Sequence, residues 1–220
     1  MKYYLILMIS LVLSSELSAN DTEVKFLNAG LIDVTTIDSS IKIDLVNADP
    51  TKNFFKEDFY GSLDKAYLRK DVAVMLSKAQ SILKSEYPAY SLQVLDAARP
   101  RSVSRAMYEK MKGTSFERYV ANPSKGSMHN YGIAVDITVV DGKGQTLDMG
   151  PSPFYSSHTA IYWHSLLNKV GASVTAKQQA NRDLLSRVML KAGFYPLSHE
   201  WWHFNGMKKE DARSTYSIIE

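Results

Sequence analysis

The nine residues from Gly132 to Val140 constrain this chain more than any other stretch. Ile133, Val135, Ile137 and Val139 alternate with Ala134, Asp136, Thr138 and Val140, a period of two that reads as a strand lodged inside a sheet. An apolar setting tolerates a carboxylate only when it is paired or bound to a cation, so Asp136, in the middle of the run, is the residue that needs explaining. Two accounts are open: a structural partner (an Arg or a backbone donor), or a metal ion. His129 lies seven positions earlier in the segment SMHNYGIAVD from Ser127 to Asp136, and that neighbour favours the metal.

The chain contains no Cys, which excludes disulfides and thiolate ligands and leaves His, Asp and Glu to hold any metal. Zinc takes about four tetrahedral ligands, and a catalytic site keeps one position open for water. The second segment that matters is EWWH, Glu200 to His203. His129, Asp136 and His203 then fill three positions around one Zn2+ per chain, although the same ligand types suit other divalent ions. Glu200 is the natural group to take a proton from the water. On a regular strand Glu200 and His203 point to opposite faces, so a shared site requires a bulge, a twist or a strand end.

Arg99 follows the short apolar run Leu92, Val94 and Leu95, which ends in Asp96, and it precedes Pro100. An Arg beside Pro is ordinarily a surface residue or half of a structural salt bridge. This one stands just past the carboxyl end of an inner strand, where loops collect functional side chains. Facing the metal, its guanidinium would hold the oxyanion that forms when water attacks a carbonyl.

With 220 residues, 45% hydrophobic and 22% charged, the chain can build one packed core. A net charge of +3 is too mild to argue for a nucleic-acid partner. Lys2, the apolar run Tyr3 to Leu13 and the small or polar residues to Ala19 read as a signal peptide over residues 1–19, too short an apolar run to span a membrane comfortably. The expectation is a domain over residues 20–220, a periplasmic or secreted location and no stable membrane span in the mature form. An uncleaved anchor and a buried first helix are the alternatives, because Glu16 and Leu17 are unusual near a cleavage point.

Ile41, Ile43 and Leu45 alternate as an edge strand, followed by an ordered loop over Asn47 to Tyr60. Helices are expected at Asp64–Leu83, Ser102–Met111, Ile161–Val170 and Ala180–Lys191, the last with Leu184, Leu185, Val188 and Met189 on one stripe and stopped by Gly193. Asp141-Gly142-Lys143-Gly144 fits a hairpin turn into a neighbouring strand at Thr146–Met149. Core packing accounts for at least one of Trp201 and Trp202, and His158, His164 and His199 receive no role.

SMHNYGIAVD, the DAARP ending at Pro100, the DMG of Asp148 to Gly150, NRDLL at Asn181 and EWWHFN together resemble the zinc D-alanyl-D-alanine dipeptidases of peptidase family M15, including those of vancomycin resistance. The resemblance runs from about Asn53 to Asn205. It implies an α+β fold with a central, mainly antiparallel sheet flanked by helices and the zinc site at the sheet. It further implies zinc on His129, Asp136 and His203, Glu200 as catalytic base, Arg99 as transition-state arginine, and Ser127 near the carboxylate of a small D-amino-acid peptide. In one place the chain departs from the pattern. Where the family reaches a Phe followed by an Asp that binds the substrate amine, this chain reads Pro151-Ser152-Pro153-Phe154-Tyr155. Tyr155 occupies the substrate-binding position, and a phenol with a pKa of about 10 cannot neutralise an ammonium at neutral pH. Either the nearby Asp148 compensates and dipeptide hydrolysis is kept, or the chain is a stem-peptide carboxypeptidase or endopeptidase; a non-catalytic peptidoglycan-binding protein is the third alternative.

Overall fold

The computed structural model describes residues 21–61, 63–114, 117, 120–150, 174–198 and 200–220. The expected signal peptide, the helix at Ile161–Val170, Tyr155, His158, His164 and His199 lie outside these residues. Two sheets form. β1 (Ile32–Asp33) pairs antiparallel with β3 (Tyr67–Leu68), and five strands line up in the order β2 (Lys42–Ile43), β4 (Ser91–Asp96), β5 (Ala134–Val140), β7 (Glu200–Asn205) and β6 (Tyr195–Leu197). Among the described strand pairings, only β2–β4 is parallel. The expected α+β architecture with a mainly antiparallel central sheet is the one observed, with β2 at its edge.

Every residue of β5 is buried, as its alternation requires. Val135 lies opposite Phe204, and Ile137 and Val139 lie opposite Val94 and Leu92. This apolar face is covered by α1 (Lys70–Glu86), through Leu76 and Leu83, and by α3 (Ala176–Ala192), through Leu185, Val188 and Met189. Asp136 is on the other face, with His203 of β7 on one side and Asp96 of β4 on the other. β4 needs a bulge to achieve this. Its register shifts between Val94 and Asp96, and the extra residue, Leu95, packs with Val46 and Trp202, so Asp96 and not Leu95 stands beside Asp136.

Three boundaries differ from the sequence reading. The helix expected from Asp64 begins at Lys70, because Tyr67 and Leu68 are taken by β1 and the Arg69 N–H by the Gly132 carbonyl at 2.9 Å; it then runs to Glu86, two residues short of Pro88. α3 starts at Ala176, four residues early, since Thr175 and Gln178 close a reciprocal capping box, and Gly193 at φ 111° ends it as expected. The turn at Asp141–Gly144 forms, but the strand beyond it is reduced to one bridge, Val140 to Thr146. α2 (Arg101–Met111) and a short α4 (Lys209–Thr215) complete the described elements that frame the site.

Candidate metal centre

His129 sits on a 3₁₀ turn, Met128–Tyr131, that Ser127 caps. The Ser127 Oγ accepts from the His129 N–H at 3.3 Å, and Asn130 Oδ1 accepts from the Ser127 N–H at 2.7 Å. The turn is tied to the end of β4, where the Arg99 N–H donates to the His129 carbonyl at 3.0 Å and Asn130 Nδ2 donates to the Arg99 carbonyl at 2.8 Å. Gly132 ends the turn at φ 71° and leads directly into β5. An imidazole seven residues before a strand carboxylate thereby folds back beside it.

His129, Asp136 and His203 are 3%, 4% and 7% exposed. The His129 Nδ1–H donates to the Ala97 carbonyl at 2.6 Å, and the His203 Nε2–H donates to Asn205 Oδ1 at 3.0 Å. Those bonds fix the tautomers and leave His129 Nε2 and His203 Nδ1 turned inward. The two nitrogens are 3.2 Å apart, and Asp136 Oδ1 is 3.4 Å from the first and 3.0 Å from the second. Ligands at about 2.0–2.2 Å from a tetrahedral zinc are about 3.3 Å from one another. The donor set therefore fits such an ion. Lone pairs and a carboxylate oxygen this close repel unless a proton or a cation sits among them. Burial would raise the Asp136 carboxyl, but the two imidazoles hold it far below the usual carboxylate range. Burial lowers His203, and Asp136 with Glu200 outweighs it, so the imidazole titrates above its ordinary value.

Glu200 Oε2 lies 3.9 Å from His203 Nδ1, with the side chain 25% exposed. The parity problem is solved by a bulge. In the β6–β7 pair Pro196 is opposite Phe204, but Leu197 is opposite Glu200, so the intervening β7 residues have no partners across the ladder. Trp202 turns into the cavity and is 7% exposed, while Trp201 packs partly against the main core with the Arg182 guanidinium 5.5 Å from its ring.

Arg99 enters the same cavity with its side chain 12% exposed. Nε donates to Asp96 Oδ2 at 3.1 Å and Nη2 to the same oxygen. Asp96, fully buried, also accepts from Asn47 Nδ2 and the Tyr60 hydroxyl, each at 2.8 Å, and from the Ala97 N–H at 3.0 Å. Arg99 is thus half of a buried ion pair and at the same time lines the cavity. Burial lowers the guanidinium pKa, and Asp96, Tyr60 and Asp136 raise it above the usual value; burial and Asp96 push the Tyr60 phenol well up.

A cavity of about 250 Å³ joins these groups, lined by Arg99, Ser127, His129, Asp136, Glu200 and His203, with Phe54, Phe55 and Trp202 among its apolar lining and Lys209 and Arg213 of α4 also exposed to it. The sequence reading missed Asp96, Asn205, Lys209 and Arg213. Asp96 and Asn205 carried a local signal: Asp96 is three residues before Arg99, and Asn205 is two residues after His203 on the same strand face.

A mainly antiparallel α+β sheet carrying a buried His-Asp-His cluster, a nearby carboxylate and a cation-lined cavity defines a metal-dependent hydrolase. Comparison with known proteins narrows the class. The family model of the D-Ala-D-Ala dipeptidases, peptidase family M15, matches residues 27–219, and the chain belongs to this family and is a peptidase. A D-alanyl-D-alanine dipeptidase of Escherichia coli (strain K12) is 30% identical over 174 residues, covering 79% of this chain and 83% of the relative. One from Synechocystis sp. is 27% identical, covering 63% and 68%. Among solved structures, the LdcB LD-carboxypeptidase overlays with a TM-score of 0.40 at 20% identity over 67% of this chain and 63% of its own length. VanYB in complex with D-alanine-D-alanine overlays with a TM-score of 0.37 at 18% identity over 69% and 77%.

Proposed function

We propose that the chain is a periplasmic or secreted zinc dipeptidase that hydrolyses D-alanyl-D-alanine to free D-alanine. The observation that carries this reading is the spacing of 3.0 to 3.4 Å among His129 Nε2, Asp136 Oδ1 and His203 Nδ1, the three atoms that would hold the ion. When bound, zinc polarises a carbonyl and brings the pKa of a coordinated water down to about 7. Glu200, at the edge of the cluster and open to the cavity, takes the proton of the attacking water and passes it to the leaving amine. Arg99, held by Asp96 in a nearly dry setting, faces the oxygen on which charge develops. The Ser127 hydroxyl accepts from the His129 N–H, which leaves its own proton for a substrate carboxylate. Among the described residues no helix is long and apolar enough to cross a membrane.

A second reading, a stem-peptide D,D-carboxypeptidase or endopeptidase, is favoured by one observation. The only carboxylates in the described lining are Asp136 and Glu200, both already assigned, and Tyr155 stands where the family supplies an acid for the amine. Amine release from D-Ala-D-Ala and from a stem pentapeptide, each with and without chelator, decides between the two. Chelator-sensitive cleavage of the dipeptide supports the dipeptidase, cleavage of the pentapeptide alone moves the chain to the second reading, and turnover of neither refutes both.

A further inference from the structure

The 3₁₀ turn that carries His129 is held from outside itself. Each carbonyl from His129 to Gly132 accepts a bond from another part of the chain: His129 from the Arg99 N–H at 3.0 Å, Asn130 from the Ile219 N–H at 2.8 Å, Tyr131 from Arg69 Nε at 3.0 Å and Gly132 from the Arg69 N–H at 2.9 Å. A single turn of this kind has few bonds of its own, and their geometry is poor, so these external donors set how it lies against β5. Arg99 belongs to the site. Arg69 and Ile219 are neither metal ligands nor part of the cavity lining. Ile219 is 4% exposed, and its own carbonyl accepts from the Arg101 N–H at 2.7 Å, so it splices the turn to the first residue of α2. Arg69 is seated by Tyr216, with 4.2 Å between the guanidinium carbon and the ring centroid, and its Nη1 donates to the Ala29 carbonyl. The stretch after α4 is thereby fastened to the turn directly through Ile219 and, by way of Arg69, through Tyr216.

We propose that Ile219, Arg69 and Tyr216 are positioning residues of the metal centre: by fixing the backbone of the turn they set where His129 Nε2 stands relative to Asp136 and His203, and zinc affinity depends on them although none is hydrogen-bonded to a ligand side chain. This rests on the metal reading of the site and deepens it. The other ring nitrogen of His129 is held by the Ala97 carbonyl, just beyond β4. A loosened turn therefore pulls on a ring that is anchored elsewhere, and the separations of 3.2 Å from His203 Nδ1 and 3.4 Å from Asp136 Oδ1 are lost. Partners bonded to a metal ligand's side chain are each worth about 10–100-fold in metal affinity. Groups acting one step further out, on the ligand's backbone, belong at the low end, about tenfold.

The test is a competition titration of zinc against a chromogenic chelator, at a temperature where circular dichroism shows every variant folded, on the wild type, Ile219→Pro, Arg69→Met and Val188→Ala. Proline removes the N–H that the Asn130 carbonyl accepts and keeps an apolar side chain; methionine keeps much of the Arg69 stem without its donors. Val188, fully buried on α3, is the control, because its truncation lowers the melting point of the metal-free protein while all four bonds to the turn stay in place. Zinc affinity is expected to fall about tenfold in Ile219→Pro and in Arg69→Met, and to stay within about twofold of the wild type in Val188→Ala. Unchanged affinity in either of the first two, or an equal loss in Val188→Ala, overturns the proposal and leaves the metal reading standing. A wild type that binds no zinc overturns both. If Ile219→Pro does not fold, Tyr216→Leu, which removes the ring beside the Arg69 guanidinium, takes its place: a larger loss of zinc affinity than in Val188→Ala supports the proposal, and an equal or smaller one overturns it.

Discussion

Asp96→Asn tests the frame behind Arg99. The carboxylate is fully buried and accepts four neighbours: Asn47 Nδ2 and the Tyr60 hydroxyl at 2.8 Å, the Ala97 N–H at 3.0 Å and the Arg99 guanidinium, whose Nε is at 3.1 Å. Asparagine keeps the shape but replaces one acceptor oxygen by an N–H₂, so that donors face donors, and it removes the countercharge of a guanidinium whose side chain is 12% exposed. Breaking a buried pair from one side costs about 3–5 kcal/mol, a large share of a total stability of about 5–15 kcal/mol. For a chain of this size each kcal/mol moves the melting point by about 2–4 °C. The zinc-loaded variant is therefore expected to melt about 6–20 °C below the wild type, by calorimetry at neutral pH. It should keep close to one zinc per chain, because none of the three ligands is bonded to the Asp96 side chain. Its kcat should fall as well, since Arg99 loses its aim. A melting point within about 2 °C of the wild type would refute the account of Asp96 as the countercharge.

Four further substitutions separate the remaining roles. Glu200→Gln should keep its zinc, measured by elemental analysis, and lose about 10²–10⁴-fold in turnover, whereas His203→Ala should lose both; equal metal loss in the two would sink the division between base and ligand. Asn205→Ala removes the acceptor that turns His203 Nδ1 inward and should weaken zinc binding by about 10–100-fold in a competition titration; unchanged affinity would show that the strand alone orients the ring. Gly132→Ala must adopt φ 71° and would bring a Cβ to 2.5 Å from Leu31 Cδ2, on a side chain itself 2% exposed. A cost of about 2–4 kcal/mol is expected in denaturant unfolding, and a cost below about 0.5 kcal/mol would show that the turn carrying His129 can relax.

The residue types of the centre were legible because each one conflicts with its surroundings. Asp136 interrupts an apolar alternation, and the two imidazoles flank it in chain order with no thiol to compete for a metal. The apolar stripe of α3 and its Gly193 stop were equally plain, since both depend on neighbours within a few residues. What escaped the sequence depends on distant pairing. The start of α1 is set by β1, more than thirty residues earlier in the register Ile32 to Leu68. The role of Asp96 rests on Asn47 and Tyr60, which are 49 and 36 positions away, and on a bulge at Leu95 that no local pattern announces. Lys209 and Arg213 are exposed, and only the packing of α4 against the turn of His129 brings them to the cavity.

The spacing of Glu200 and His203 shows most clearly how sequence and fold divide the work. Three residues apart on a strand, they belong on opposite faces, yet both line the cavity, together with Trp202 and without Trp201. The cause lies in the facing strand. β6 is an edge strand, and its central residue is Pro196, which has no N–H to give to the ladder. Beyond Phe204, therefore, nothing from β6 holds β7 in regular register, and three residues, Trp201, Trp202 and His203, fit between partners that are adjacent in β6. The two indoles fix the excursion by meeting edge to face at 5.5 Å, Trp202 towards Val46 and Leu95 and Trp201 beneath Arg182. His203 returns to register opposite Asp136 at the end of the excursion, and Glu200 begins it. Glu200 and His203 thus share one cavity because the strand between them is irregular, and the pair of tryptophans holds that irregularity in place.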